Sequence, residues 1–343
     1  MKVSVGARPL LFFYGIEDGL KMLADAGFEA VDFPLNRDEL TPWEEGFFKD
    51  PSGAEFAEYF SSLGKLIRDL GLEVYQTHAP YLRTNCSDPA EYDLILRKAI
   101  RAIHASGYMG APNIVVHPVM HPDFSNGQNR ECMLRTNLEY FGKMVPALKA
   151  AGVTACIENV FWSEGAQVKV PNACSDGEQL ACLIDALNDL HGPCFAACLD
   201  TGHAVVSGND PCRMIRELGQ RTRVLHLQDN RGIVDDHMFP GMGVINWKAF
   251  LPAMKEAGYS GTLNFEVRFS DYEKDIYNRD VRQTACRLVY HIGRSMTDIA
   301  DGIRNIDYEN GIYNRDVRQA ASELLYHIGR SRTDIEKGIS GDR

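Results

Sequence analysis

The sequence predicts an α/β protein, a (β/α)₈ TIM barrel that carries an additional, duplicated C-terminal helix. Three observations predict it. Strand-like and helix-like runs alternate eight times over about 300 residues, the count and length of such a barrel. Six successive strand-like runs, the third to the eighth, end at or beside a His or a carboxylate. The last helical stretch is also repeated: Ile276–Gln283, Ile-Tyr-Asn-Arg-Asp-Val-Arg-Gln, returns unchanged as Ile312–Gln319. A doubly wound open sheet is the competing architecture, but no Gly-x-Gly-x-x-Gly turn follows the first strand.

The elements follow in order. Val3–Val5 is a short first strand and Ile16–Ala26 a helix stopped by Gly27. Phe28–Phe33 is the second strand. Phe56, Phe60, Leu63, Ile67 and Leu70 recur at steps of three and four, one apolar helical stripe, before Gly71 and the third strand, Leu72–Thr77. A helix over Glu91–Ser106 precedes the fourth strand, Asn113–Val116. A second stripe (Leu134, Leu138, Phe141, Val145, Leu148) predicts one helix up to Gly152, before the strand ending at Glu158. Helices near Asp176–Asp189 and Pro211–Leu218 precede the strands ending at Asp200 and His226. Trp247–Ala257, stopped by Gly258, leads to the strand ending at Glu266, and a closing helix begins near Tyr277.

The 343-residue chain can bury a large core, and its 45% apolar and 24% charged residues mark it as globular. A net charge of −11 argues against nonspecific binding to nucleic acid or to an acidic membrane. The first residues read as a strand without a signal-peptide layout, and no apolar run reaches the length of a membrane span, so a cytoplasmic protein is expected. The nine cysteines include no Cys-x-x-Cys pair, and Cys156 and Cys198 lie inside apolar strand runs, as reduced core residues do. Residues 1–300 read as the barrel domain and 301–343 as an extension that repeats its final helix.

In a barrel the C-terminal ends of the strands share one mouth, where chemistry collects. Glu158, Asp200, His226 and Glu266 supply three hard oxygen ligands and one nitrogen, a set suited to one divalent ion of manganese, magnesium, cobalt or zinc. His78 and His117 end the third and fourth strands. His203 follows Asp200 at what reads as a tight Thr-Gly turn, and Asp235 and His237, on the loop after the seventh strand, are further ligand candidates. Strand ends are often polar simply because they leave the core, but six in succession favour a site. His104, His291 and His327, within helical stretches, read as structural.

The segments His78-Ala-Pro-Tyr81, Ile157-Glu-Asn159, Leu199-Asp-Thr-Gly-His203, His226-Leu-Gln-Asp-Asn230 and Pro240-Gly-Met-Gly-Val-Ile-Asn-Trp247 resemble the xylose-isomerase-like barrel superfamily. It includes sugar isomerases and epimerases as well as the endonuclease IV type of abasic-site nuclease. The resemblance spans roughly residues 1–300 and is specific in the order and spacing of its motifs, not in substrate. It implies one divalent metal on Glu158, Asp200, His226 and Glu266, and a substrate contact at His203. Glu164, six past Glu158, matches a second Glu of the ketose epimerases and becomes a substrate-binding candidate. Arg231 lies five past His226, where those epimerases place an Arg six past.

The chemistry follows from the residue inventory as well. Moving a carbonyl along a sugar, or inverting the carbon beside one, removes a proton next to that carbonyl and builds negative charge that a divalent cation stabilises. Glu158 and Glu266 approach from different sides of the ring and form the expected acid/base pair. Phe161 and Trp162 read as walls of a small sugar pocket. No phosphate-gripping Gly-rich loop stands out, which favours an unphosphorylated polyol or ketose. A three-zinc abasic-site nuclease is the alternative, since His78, His117, His203, Asp235 and His237 would supply its extra ligands, but no basic, aromatic-interleaved stretch for DNA accompanies them. A non-catalytic sugar-binding barrel is a third reading. The expected partner is a small sugar, with neither nucleic acid nor membrane. The extra helix would lie on its own barrel or support a homo-oligomer.

Overall fold

The computed structural model describes residues 1–81, 88–120, 130–164, 168–171, 174–268, 279–302 and 311–336, with the side chains of 162–171 and 329–336 left aside. Eight parallel strands form a (β/α)₈ barrel. They are β1 (Val3–Gly6), β2 (Ala30–Pro34), β3 (Glu73–His78), β4 (Asn113–Val116), β5 (Thr154–Glu158), β8 (Phe195–Asp200), β9 (Thr222–His226) and β10 (Leu263–Phe265). β6 (Phe161–Glu164) and β7 (Val168–Pro171) form a separate antiparallel hairpin after β5. The order around the barrel is β10-β1-β2-β3-β4-β5-β8-β9. The first and last strands pair in parallel, Val3 opposite Leu263, and the Ser4 hydroxyl donates to Asn264 Oδ1 at 2.9 Å. The ring closes where Leu227 N donates to Asn264 O at 2.8 Å and Glu266 N to Leu227 O at 3.1 Å.

Strand side chains alternate between two faces, and the core divides accordingly. Ile114, Val116, Ala155, Ile157, Ala197 and Leu199 join the large cluster shared with the helices. Their neighbours Val115, Cys156, Ala196, Cys198 and Val224 form a second cluster inside the barrel. Both cysteines are unpaired, and burial pushes the Cys156 thiol up to about 12.

The outer layer contains α1 (Arg8–Tyr14), α2 (Ile16–Ala26), α3 (Ala54–Asp69), α4 (Pro89–Met109), α5 (Arg130–Gly142), α6 (Val145–Ala151), α7 (Gly177–His191), α8 (Thr201–Val206), α9 (Pro211–Leu218), α10 (Trp247–Glu256), α11 (Arg279–Ala300) and α12 (Arg315–Glu336). The apolar stripe of α3 is buried as its spacing predicts. The single helix expected through Leu134–Leu148 is instead two, α5 and α6. Pro146 lacks an N–H and fits only in a first turn, so the helix stops and restarts there. α1 precedes α2, and the β6–β7 hairpin occupies a stretch with no predicted element.

Gly293 lets α11 lie directly on the seam. A Cβ at Gly293 would come within 2.5 Å of Val3 Cγ1 and 2.7 Å of Phe265 Cε2. The repeated segment follows, and α12 packs on α11 with Ile312, Val317 and Ala320 buried. Ser295 Oγ donates to Ile312 O at 2.5 Å, and the Tyr313 hydroxyl donates to Pro240 O at 2.9 Å, at the mouth of the barrel.

Candidate active and metal-binding site

β5, β8 and β9 end at Glu158, Asp200 and His226, and Glu266 directly follows β10. One ligand atom from each lies within 4.8 Å of all the others. Three of the four side chains are fully buried, and Glu266, a third exposed, faces the mouth. The motifs that surround them lace the strand ends together. Asn159 Nδ2 donates to Asp200 O at 2.9 Å while its Oδ1 accepts from Asp200 N at 2.7 Å, fixing β5 to β8. Thr201 Oγ1 donates to Gln228 O at 2.8 Å, fixing β8 to β9. Gly202 leaves room for the Gln228 side chain, because a Cβ there would lie 2.2 Å from Gln228 Cδ and would push that side chain aside.

His203 is not at a free turn. Asp200 caps α8, its Oδ1 accepting from His203 N at 2.7 Å, and His203 lies in the first helical turn. A capping carboxylate competes favourably with a turn because it satisfies a helix-end N–H. Asp200 Oδ2 is left buried without a hydrogen-bond partner. A dry, unpartnered carboxylate oxygen is costly, and a cation is the partner that removes the cost. On that observation the donor set fits one divalent ion.

One contributor was missed by sequence reasoning. Asp32, buried within β2, accepts at Oδ2 from Gln76 Nε2 and lies 3.0 Å from His226 Nε2. His226 Nδ1 faces Glu158 Oε1 at 2.9 Å and Glu266 Oε2 at 3.3 Å. Asp32 at Nε2 fixes the ring so that Nδ1 faces the cluster, the arrangement of carboxylate-oriented ligand histidines. The available signal was an Asp within the apolar run Ala30-Val-Asp-Phe33.

An imidazole shell surrounds this cluster. His117 Nε2 lies 2.9 Å and His78 Nε2 3.4 Å from Glu158 Oε2. His203 donates from Nδ1 to Asn159 O at 2.9 Å, and its Nε2 lies 3.5 Å from Asp235 Oδ2. His237 donates from Nδ1 to Glu266 O at 2.8 Å and faces Asp235 Oδ2 with Nε2 at 3.0 Å. Its backbone sits at φ +50, an uncommon conformation for a residue with a side chain. Tyr81 stacks on His117, centroids 4.2 Å apart, and Phe161 meets His203 edge-on at 5.1 Å.

Charges sort sharply here. Burial alone would raise Glu158, but His226 and His117 hold it well below the usual carboxylate range. Burial dominates at Asp200, pushed up to about 7, and Glu158, Glu266 and Asp235 add to the rise against the pull of His203. Burial would lower His203, yet Asp200 and Asp235 raise it well above its ordinary value. Against the same burial, Asp235 and Glu266 carry His237 up to about 9.

Glu158, Glu266 and Asp32 line a cavity of about 310 Å³ that also reaches Arg8, Asn36, Arg37 and Arg268. His78, His117, His203, Asp235 and His237 all face it, whereas Arg231 is exposed and absent from its walls. The Arg231 backbone N lies 3.4 Å from Asp236 Oδ2. Glu164 and Trp162 lie on β6, and their side chains fall outside the described residues.

The fold and site define a barrel whose mouth carries a metal-type donor set. Residues 20–285 match the family model described as the xylose isomerase-like TIM barrel, and the chain belongs to that family. Among curated proteins it is 26% identical to an uncharacterized protein of Mycobacterium tuberculosis, over 72% of this chain and 85% of that one. Among solved structures, D-psicose 3-epimerase of Clostridium cellulolyticum, crystallised with D-tagatose, superposes with a TM-score of 0.61 at 14% identity, covering 96% of this chain and 99% of that one. The IOLI protein with a bound zinc atom superposes with a TM-score of 0.61 at 16% identity, over 88% and 98%. Among the described residues no helix is long and apolar enough to cross a membrane.

Proposed function

We propose that the chain is a divalent-metal-dependent isomerase or epimerase of a small sugar or polyol derivative, with Glu158 and Glu266 exchanging the proton beside the substrate carbonyl. The observation that carries the reading is the convergence of Glu158, Asp200, His226 and Glu266 within 4.8 Å, with Glu158 and Glu266 in the wall of a cavity of about 310 Å³. These four would hold manganese, magnesium, cobalt or zinc, which would supply Lewis-acid stabilisation of the negative charge that develops on the substrate oxygens. Glu158, buried against His117 and His226 on the wall of the cavity, is the proton acceptor in this reading. Glu266 faces the mouth from a strand on a different side of the ring, so it can return the proton from another direction. His203, fixed through Nδ1 to Asn159 O, presents Nε2 toward the cavity and can hold a substrate oxygen. Asp32 is a positioning residue for His226.

One observation favours the nuclease reading as well. His78, Glu158 and His226 form a second potential donor set, and His203, Asp235 and His237 lie beside the first. The number of ions decides between the two. Elemental analysis of dialysed protein should give one divalent ion per chain and near none in His226→Ala; three ions would move the assignment to a nuclease. Glu158→Gln, checked for metal content, should slow exchange of the substrate α-proton with solvent deuterium about 100-fold or more. Undiminished exchange would remove Glu158 from the acid/base role.

A further inference from the structure

We propose that the substrate carries an anionic group, a carboxylate or a phosphate monoester, and that Arg37, Arg8 and Arg268 hold it at the rim. This rests on the reading of the cavity as the substrate site. The three arginines come from consecutive positions around the ring. Arg268 follows β10, Arg8 follows β1, Arg37 follows β2, and these strands are neighbours in the sheet. All three line the same cavity.

Both carboxylates and guanidinium-bearing residues line this cavity. The carboxylates are engaged with imidazoles: Glu158 with His117 and His226, Asp32 with His226, Asp235 with His203 and His237. Arg8, Arg37 and Arg268 reach it from the ends of three neighbouring strands, β1, β2 and β10. In a chain with a net charge of −11, three cationic side chains on one wall of one small cavity stand against the overall trend. Arg37 carries a second signal, because its Nε is buried in the structure without a hydrogen-bond partner. A buried guanidinium N–H that lacks an acceptor is costly, and an anion bound bidentately is the partner its fork geometry matches.

The imidazole-paired carboxylates and the three arginines assign two ends to the ligand. Its oxygens beside the reacting carbon go to the carboxylate end, and its charged group to the arginines. A cavity of about 310 Å³ lies at the small end of ligand sites, which suits a single sugar-sized molecule lying between the two. The sequence reading of an unphosphorylated substrate considered only Gly-rich phosphate loops. Side-chain guanidiniums supply the same recognition without one.

The test is calorimetric binding to the manganese-loaded chain of three six-carbon ketose probes, namely D-fructose, D-fructose 6-phosphate and 2-keto-D-gluconate. One of the two charged probes should bind at least tenfold more tightly than D-fructose, and which one it is identifies the anion. The preference should shrink with added salt, fall close to one in Arg37→Ala, and survive in part in Arg37→Lys, which keeps the charge but not the fork. Arg268→Ala, on an exposed residue, gives a second variant whose folding is not at risk. If neither charged probe binds more tightly than D-fructose, or the preference persists in both alanine variants, the proposal is overturned. Metal content measured on the same samples separates that outcome from failure of the metal assignment.

Discussion

α11 and α12 place nearly one sequence in two surroundings. Both begin Arg-Asp-Val-Arg-Gln, both carry Tyr-His-Ile-Gly-Arg, and both are 22 residues long. α11 lies between α2, α10 and the β1–β10 seam, so almost its whole circumference is buried. Among the described residues α12 packs chiefly on α11, and Tyr313, just before it, reaches the mouth loop. Val281 and Val317 are equally buried, but Arg282 is buried where Arg318 is exposed. Val289 is sealed in the core, while its counterpart Leu325 is 71% exposed. The copies differ where the surroundings do: buried Cys286 corresponds to exposed Ser322, and Arg287 to Glu323. Helicity thus travels with the local sequence, whereas burial is set by what the helix lands on.

Paired substitutions sharpen this contrast. The largest effect is expected from Val289→Asp, which puts a charge into the sealed side of α11 and should cost several kcal/mol, lowering the urea midpoint severely or preventing folding. Leu325→Asp should stay within about 0.5 kcal/mol of the parent. Equal losses in the two would mean that α12 buries that face against something else, such as a second chain. A middle effect is expected at the arginines. Arg282 lies 4.0 Å over the Phe13 ring and donates to the Tyr14 hydroxyl at 3.0 Å, so Arg282→Ala should cost about 1–3 kcal/mol. Arg318→Ala should cost well under 1 kcal/mol on the same measurement. The smallest effect concerns reactivity, not stability. In a Ser322→Cys variant the new thiol should react promptly with an aromatic disulfide reagent. Cys286, fully buried and with its thiol pushed up by that burial, should react only on unfolding. Comparable rates for both would contradict the environments described.

Much of this architecture was legible because it rests on local pattern. α2 and α9 begin and end where the apolar spacing and the Gly or Pro signals place them, and β4 spans Asn113–Val116 as read. The four clustered residues proposed as ligands were legible because each lies at the end of its strand or directly after it. The failures also have physical causes. Pro146 splits a stripe that is continuous in periodicity, and capping by Asp200 turns an apparent Thr-Gly turn into helix. Asp32 acts across the barrel through His226, 194 positions away, a contact no local pattern encodes. The group of three arginines eluded reading for the same reason, since Arg8 and Arg268 become neighbours only when the sheet closes.

That closure has a consequence for how the chain reaches its native state. β1 pairs with β10, and Ser4 meets Asn264 across 260 positions. Loops that long make closure entropically expensive and late, and topologies dominated by distant pairings fold slowly. During synthesis the first strand therefore leaves the ribosome long before its partner exists. Glu266, one residue past β10, is the last of the four clustered ligands to be made. Until the seam joins, neither the four-residue donor set nor the group of three arginines is assembled, so a partly built barrel lacks both the proposed ion site and the proposed anion site.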